Sequence, residues 1–535
     1  MLLETGGCVG RYGGMLMGNN GKSLGQKVGL VVNARLTKRQ GSKVDRHVTV
    51  DISGIGVWRK RLLPVLVCLV LSRVPFALAD DNGNVKVIDS DVTGDVYGGQ
   101  IRDGSTLDNT VEVNATVTGN VYGGSVHNSG DAGNNTVTVS ANAEVTGFVD
   151  GGFVELHALP GGGVYDNTVI VDGGKVGQYV TGGFSRNDPA TGNSVVISGD
   201  ADIGYNALPG DESGFVRGGA SYSDISQDNH VTITGNARIA GFVAGGDSMI
   251  RGDSVGNTVL IDGAGVNIGE YVVGGSTRNG LVENNYVTVR DGTVGGDVTG
   301  GYVESQGNAQ YNHVTLSGGN VIGQVMGGFT TKDDAVGNMV MVDGGQVGLY
   351  VAGGQSLSGN ALNNEVVVRS GQVSQYVVGG YTENNGDANG NRVAITGNAV
   401  VAGEIIGGYA GGLGTATYNT VTLSPDVGAN YATSIVYGGK SVAGDAFTGN
   451  TLNVNTGHVE VECRTDRRKC RTDPERYGRH RPERNNRQCR WQHRRRADTG
   501  NRNDPHPHRK HERTHHRRHH PLRNSHPQTR HLPDP

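Results

Sequence analysis

The chain has 535 residues, of which 90 are glycine, with 35% hydrophobic and 5% aromatic residues. Its formal charge of −4 is a cancellation, because residues 80–462 hold 40 Asp and Glu against 13 Lys and Arg while both ends are basic. The acidic centre excludes nucleic acid as its partner, and the five cysteines, Cys8, Cys68, Cys463, Cys470 and Cys489, all lie outside it, which excludes a disulfide-stapled fold there.

Residues 1–57 show no sustained periodicity and are expected to be a non-structural leader or a misplaced start. Their Gly18 to Ser23 stretch lacks the first glycine of a phosphate loop, since that position is Leu16. Residues 58–79 read as a secretory signal peptide: Trp58-Arg-Lys-Arg61, an apolar run from Leu62 to Leu71, then Ala77-Leu-Ala79, with cleavage after Ala79. The run is too short to span a membrane comfortably. Val67 before Cys68 stands where a lipoprotein signal needs a small residue.

From residue 80 to 462 one unit recurs roughly 13 times at about 25 to 36 residues, the period of a solenoid, propeller or array. Its first half is an Asn followed by apolar residues two and four positions on, as in Asn135-Thr-Val-Thr-Val139, Asn167-Thr-Val-Ile-Val171 and Asn257-Thr-Val-Leu-Ile261. Its second half closes on a Gly-Gly pair, among them Gly151-Gly152, Gly245-Gly246 and Gly353-Gly354. Alternation with period two marks strands with one buried face, and no helix-length stripe interrupts it.

About three short strands per unit, with tight corners between them, predict an all-β parallel β-helix of about 13 coils, a rod of roughly 60 Å. Each buried Val contributes about 1.5 to 3 kcal/mol, enough to offset chain ordering only when neighbouring coils cover both faces. Propeller blades need about 40 residues, so these units are too short. Glycine is expected at corners with positive φ or where coils approach closely. Asparagine is expected to adopt the left-handed conformation while its amide bonds to the same amide one coil away, a structural ladder.

Residues 463–535 turn abruptly to Arg, His and Pro, ending in runs such as Arg513-Thr-His-His-Arg-Arg-His-His520. Charge suggests a nucleic-acid tail and histidine a metal tail, yet both sit badly on an exported acidic rod. A frameshift explains more. Read one base on, Trp491 becomes a forced glycine, and Asn485 to Gln492 can spell Thr-Thr-Gly-Asn-Val-Gly-Gly-Asn. The tail is therefore expected to be disordered and frameshifted.

Chemistry-bearing motifs are sparse. Gly252-Asp253-Ser254-Val255-Gly256 matches a serine-nucleophile pattern without its strand-to-helix context. His127, His157, His230 and His313 are spread over distant coils. No calcium-binding nonapeptide recurs, so neither catalytic residues, cofactor nor metal are expected. Arg251-Gly252-Asp253 is expected in a protruding loop and is the one candidate receptor-binding motif. The outward positions Thr110/Glu112, Thr136/Thr138, Thr168/Ile170, His230/Thr232 and Tyr286/Thr288 gather no carboxylate cluster and break any Thr-x-Thr array, which argues against a glycosidase cleft and against ice binding there.

The signal peptide, the cysteine-free coils rich in Gly, Asn, Thr and Val, and the Gly-x-Val-x-Gly-Gly repeats resemble the passenger of a bacterial type V autotransporter, similar to the adhesin-like members. The resemblance covers about residues 58 to 460. It implies export and display at the cell surface by a C-terminal outer-membrane β-barrel, and departs from that pattern in that no barrel follows. Host-cell surfaces or neighbouring bacterial cells are the partners expected, together with the export machinery. Function is thus expected to be non-enzymatic adhesion or self-aggregation by a truncated passenger; the alternative is a polysaccharide-active β-helix enzyme.

Overall fold

The computed structural model describes residues 80–155, 162–207, 213–425 and 435–455, plus the strands Val31–Ala34, Val48–Asp51, Glu460–Arg464 and Gln488–Gln492. The expected signal peptide lies outside these residues, as do most of the leader and the tail. Every described element is a strand, and the repeats wind into a parallel β-solenoid.

One coil shows how. After Asn257 comes the strand Thr258–Asp262, then the two-residue strand Asn267–Ile268, then Val272–Asn279 with its Gly-Gly pair, then Val282–Glu283, which leads to Asn285 and the next coil. The last short strand makes a fourth segment where the sequence predicted three. Two residues bounded by turns give too little alternation to be read as a strand. Three sheets result, of 24, 15 and 11 strands, with thirteen of the fifteen in the Gly-Gly sheet supplied by the solenoid.

Four aliphatic side chains of each coil point inward. Val259, Ile261, Ile268 and Val272 are at most 2% exposed, and they pair in register with Val287, Val289, Val294 and Val298 one coil on. The column continues as a single cluster from Ile88 to Val436. On the first described strand of the stack Lys86 takes the inward register opposite Val111.

A second, narrower compartment runs alongside, lined by small residues: Ser221, Ser248, Thr277, Thr330, Ser356 and Thr382 are all buried. Their hydroxyls bond backbone, as Thr277 Oγ1 does to Gly252 O at 2.8 Å and Ser356 Oγ to Asp333 O at 2.7 Å. Between the two compartments stands the asparagine ladder.

That ladder runs from Asn84 to Asn450. In its middle, Asn257 Nδ2 donates to Asn285 Oδ1 at 3.0 Å and to Ser226 O at 3.0 Å. Asn257 Oδ1 accepts from the backbone and side chain of Asn229. The left-handed conformation, however, belongs to the residue before each ladder asparagine: Asp108, Asn134, Asp166, Asp228, Asn284, Tyr311, Asn363 and Tyr418 at φ of 52° to 59°, and Gly83, Gly192, Gly256, Gly337, Gly390 and Gly449 elsewhere. The ladder amide must point into the stack, so the corner is turned one residue earlier.

The Gly-Gly pair is explained by close approach. A Cβ on Gly245 would lie 2.4 Å from Gly274 O of the next coil, and one on Gly246 would meet the Asn257 amide at 2.3 Å. The first glycine admits the neighbouring backbone, the second admits the ladder.

The leader and tail strands lie outside the solenoid. Val31–Ala34 pairs antiparallel with Val48–Asp51, and Glu460–Arg464 with Gln488–Gln492, whose Trp491 also stands opposite Val436 on the Gly-Gly sheet.

Candidate functional site

The two long-strand sheets bury alike and expose differently. On the sheet that follows the asparagines, the outward residues form mixed rows such as Thr136, Thr168, Ser194, His230, Thr258 and Tyr286. Among the described residues those rows bring no carboxylates together. Chemistry collects instead on the outer face of the Gly-Gly sheet.

Three outward rows run along that face. The row just before each strand holds Phe148, Tyr179, Phe215, Phe242 and Tyr271, five rings stacked in succession at 4.6 to 5.2 Å with interplanar angles of 2° to 16°. The row just past the glycines holds the stacked pairs Phe153 with Phe184, Tyr302 with Phe329, and Tyr381 with Tyr409. Parallel in-register strands, about 4.8 Å apart, set this ring spacing directly.

Between the aromatic rows the central row reads Tyr122, Asp150, Thr181, Arg217, Ala244 and Val273, each paired with the next. Asp150 is 1% exposed, and neither carboxyl oxygen has a hydrogen-bond donor in good geometry. Burial pushes its pKa well above the ordinary carboxylate range; the Thr181 hydroxyl and the Arg217 charge oppose this and lose. Burial thus favours the protonated form of Asp150 over the carboxylate.

Arg217 is half of an ion pair. Its Nε lies 3.0 Å from Asp247 Oδ2, out of line for a hydrogen bond, and both side chains are about 13 to 14% exposed. Its guanidinium sits 4.1 Å from the Phe215 ring centroid and 5.1 Å from that of Phe242, a cation over two aromatic faces. Ser276 Oγ donates to Asp247 Oδ1 at 2.8 Å. Asp150, Arg217 and Asp247 therefore share one face within a span of four coils, with the Thr181 coil between the first two, a constellation that the sequence analysis missed. Aligning the residues on either side of each Gly-Gly pair would have found it.

The Arg251-Gly252-Asp253 motif does not protrude as expected. It forms the corner between the Gly-Gly strand and the next short strand, and the neighbouring coils hold it on both sides. Gly252 N donates to Asn279 O and Ser226 N donates to Asp253 O, while Asp253 Oδ1 accepts from Leu281 N at 2.8 Å. Only Arg251 is exposed.

Ser254, of the nucleophile-like pattern, is fully buried and donates to Gly246 O. His127 pairs with Glu155, His230 bonds Thr258 Oγ1, and His313 rests tilted on Tyr286. His157 lies outside the described residues. Among the described residues no group of three or more His, Cys, Asp or Glu is placed to hold a metal ion.

No protein-family model, curated protein or solved structure matches the chain.

Proposed function

We propose that the chain is an exported surface rod that works by adhesion or self-association, binding through the outer face of its Gly-Gly sheet. The observation that carries this reading is the repeated aromatic face itself, rings presented coil after coil on a self-stacked scaffold. Weak contacts repeated along a rigid rod multiply by avidity. Side chains seated on paired strands lose little freedom on binding. The signal-like segment at residues 58–79 and the cysteine-free coils support export.

Displayed on the surface of a non-adherent bacterium, the chain should make cells clump or attach to host cells more than an empty display vector does. Equal behaviour of the two would refute the reading. A receptor that reads Arg251-Gly252-Asp253 would instead lose binding on Asp253→Glu alone.

The second reading, a polysaccharide-active enzyme, draws on one observation. Asp150, whose pKa burial raises, and the ion-paired Asp247 lie on the same face, and an acid and base pair needs two carboxyls in unlike environments. Asp150 is covered, so substrate would have to part the rings to reach it. Reducing-end release from polysaccharides, abolished by Asp150→Asn, is the outcome that would favour catalysis.

A further inference from the structure

The aromatic rows are interrupted, and the interruption has a composition. Past the glycines, the row carries Phe184, then Ala220, Asp247 and Ser276, then Tyr302. Three short side chains follow one another where rings stand on either side, so the row steps down. Tyr302 stacks on Phe329 away from the step and shows its other face to the Ser276 coil; it is 37% exposed. Across the central row, Tyr271 stacks on Phe242 and ends its own run, 42% exposed, with Asp297 in the next coil.

We infer that this step, bounded by Tyr302 and Tyr271 and floored by Arg217, Asp247 and Ser276, is a binding subsite for an uncharged glycan. The inference rests on the proposal that the chain is a binding rod and names what one part of it holds. A flat ring with one covered and one open face is a platform for the C–H face of a pyranose, an apolar surface ringed by hydroxyls. The groups beside it suit those hydroxyls: Asp247 accepts, Arg217 donates and Ser276 does either.

Charge selects among glycans. Arg217 is already neutralised by Asp247 at 3.0 Å, and the surrounding region carries 40 acidic against 13 basic residues. A sulfated or uronic polymer would meet net repulsion and no unpaired cation at the step.

The test uses the full chain and six probes: cellohexaose, maltohexaose, xylohexaose and chitohexaose as neutral oligosaccharides, hexagalacturonate and a heparin hexasaccharide as anionic ones. Calorimetry and tyrosine fluorescence should show at least one neutral probe binding with Kd of about 1 mM or tighter, and neither anionic probe binding as well. Tyr302→Ala should weaken that binding about tenfold or more, roughly 1.4 kcal/mol. Tyr302→Phe, which keeps the ring face and the fold, should stay within about threefold. Tyr286→Ala, removing an equally exposed ring from the other long-strand sheet, should change nothing.

Failure of all four neutral probes, tighter binding of an anionic one, or an equal loss in Tyr286→Ala would overturn the inference. If displayed cells still adhere after such a result, the adhesive reading stands and only this subsite falls. If cells fail to adhere while a neutral glycan binds, the reverse holds.

Discussion

The two long-strand sheets make a controlled comparison inside one molecule. Both send a series of aliphatic side chains inward, mostly Val and Ile, with the same coil spacing and the same register. Outside, the sheet that follows the asparagines carries side chains that touch mainly solvent. The Gly-Gly sheet carries layered rings over a buried acid, and its backbone is pressed against the next coil and the ladder. Equal interiors therefore do not make equal sheets. One outer surface is free to vary, while the other is fixed on both sides.

The largest expected effect is on the fixed sheet. Gly245→Ala puts a Cβ 2.4 Å from the backbone oxygen of Gly274, where nothing flexible can yield. The expected loss is about 3 kcal/mol or more, read as a large drop in the thermal midpoint or as failure to fold. A midpoint within a degree or two of the parent would remove the close-approach account of the Gly-Gly pair.

Next comes the ladder that divides the two compartments. Asn257→Ala leaves Ser226 O without its side-chain donor and the buried Asn229 N–H without its acceptor, while Asn285 Oδ1 keeps the donation from Asn257 N and the Asn229 side-chain amide keeps Ala190 O. Each stranded group costs about 1 to 3 kcal/mol, so the sum should be several kcal/mol. Asn257→Asp, which keeps the acceptor and removes the donor, should fall between the two on denaturant unfolding.

Asp150 sharpens the comparison in the opposite sense, since replacing it should stabilise. In other coils its place is taken by Val273, Ala352 or Val378, all buried. Asp150→Val should gain about 1 to 3 kcal/mol at neutral pH. The linkage has a definite sign. The folded-state pKa of Asp150 is raised, so the unfolded chain gives up this proton first. Stability is full below the ordinary carboxylate pKa and falls as pH rises from there toward the raised folded value. The variant should lose that downward slope. An unchanged midpoint with an unchanged pH profile would mean the carboxyl finds partners in solution.

The smallest effect belongs to the free sheet. Thr258→Ala removes an outward hydroxyl whose contact is His230 Nδ1 on the surface, and should shift stability by no more than about 0.5 kcal/mol. A loss comparable to that of Gly245→Ala would erase the distinction between the two faces.

Much of this was legible without coordinates because repetition makes a sequence its own alignment. A Val two places after nearly every ladder Asn can be buried in all coils only if the coils stack, so the strands, the aliphatic column and the amide ladder follow from the spacing. The left-handed residue was misplaced by one, since an Asn such as Asn135 looks like a corner residue until its amide is seen pointing into the stack behind Asn134. The short strands such as Val282–Glu283 were missed because two residues carry no period.

The candidate site was hidden for a different reason. Asp150 and Arg217 stand at one position of the unit and Asp247 at another, each in a different repeat, separated by 67 and 30 residues in the chain. Sequence alone determined that the coils stack and which side chains lie between them, because burial repeats with the unit. Only the tertiary structure decided which unrepeated residues become neighbours on the outside, because there the register between coils, and not the pattern within one, sets what touches what.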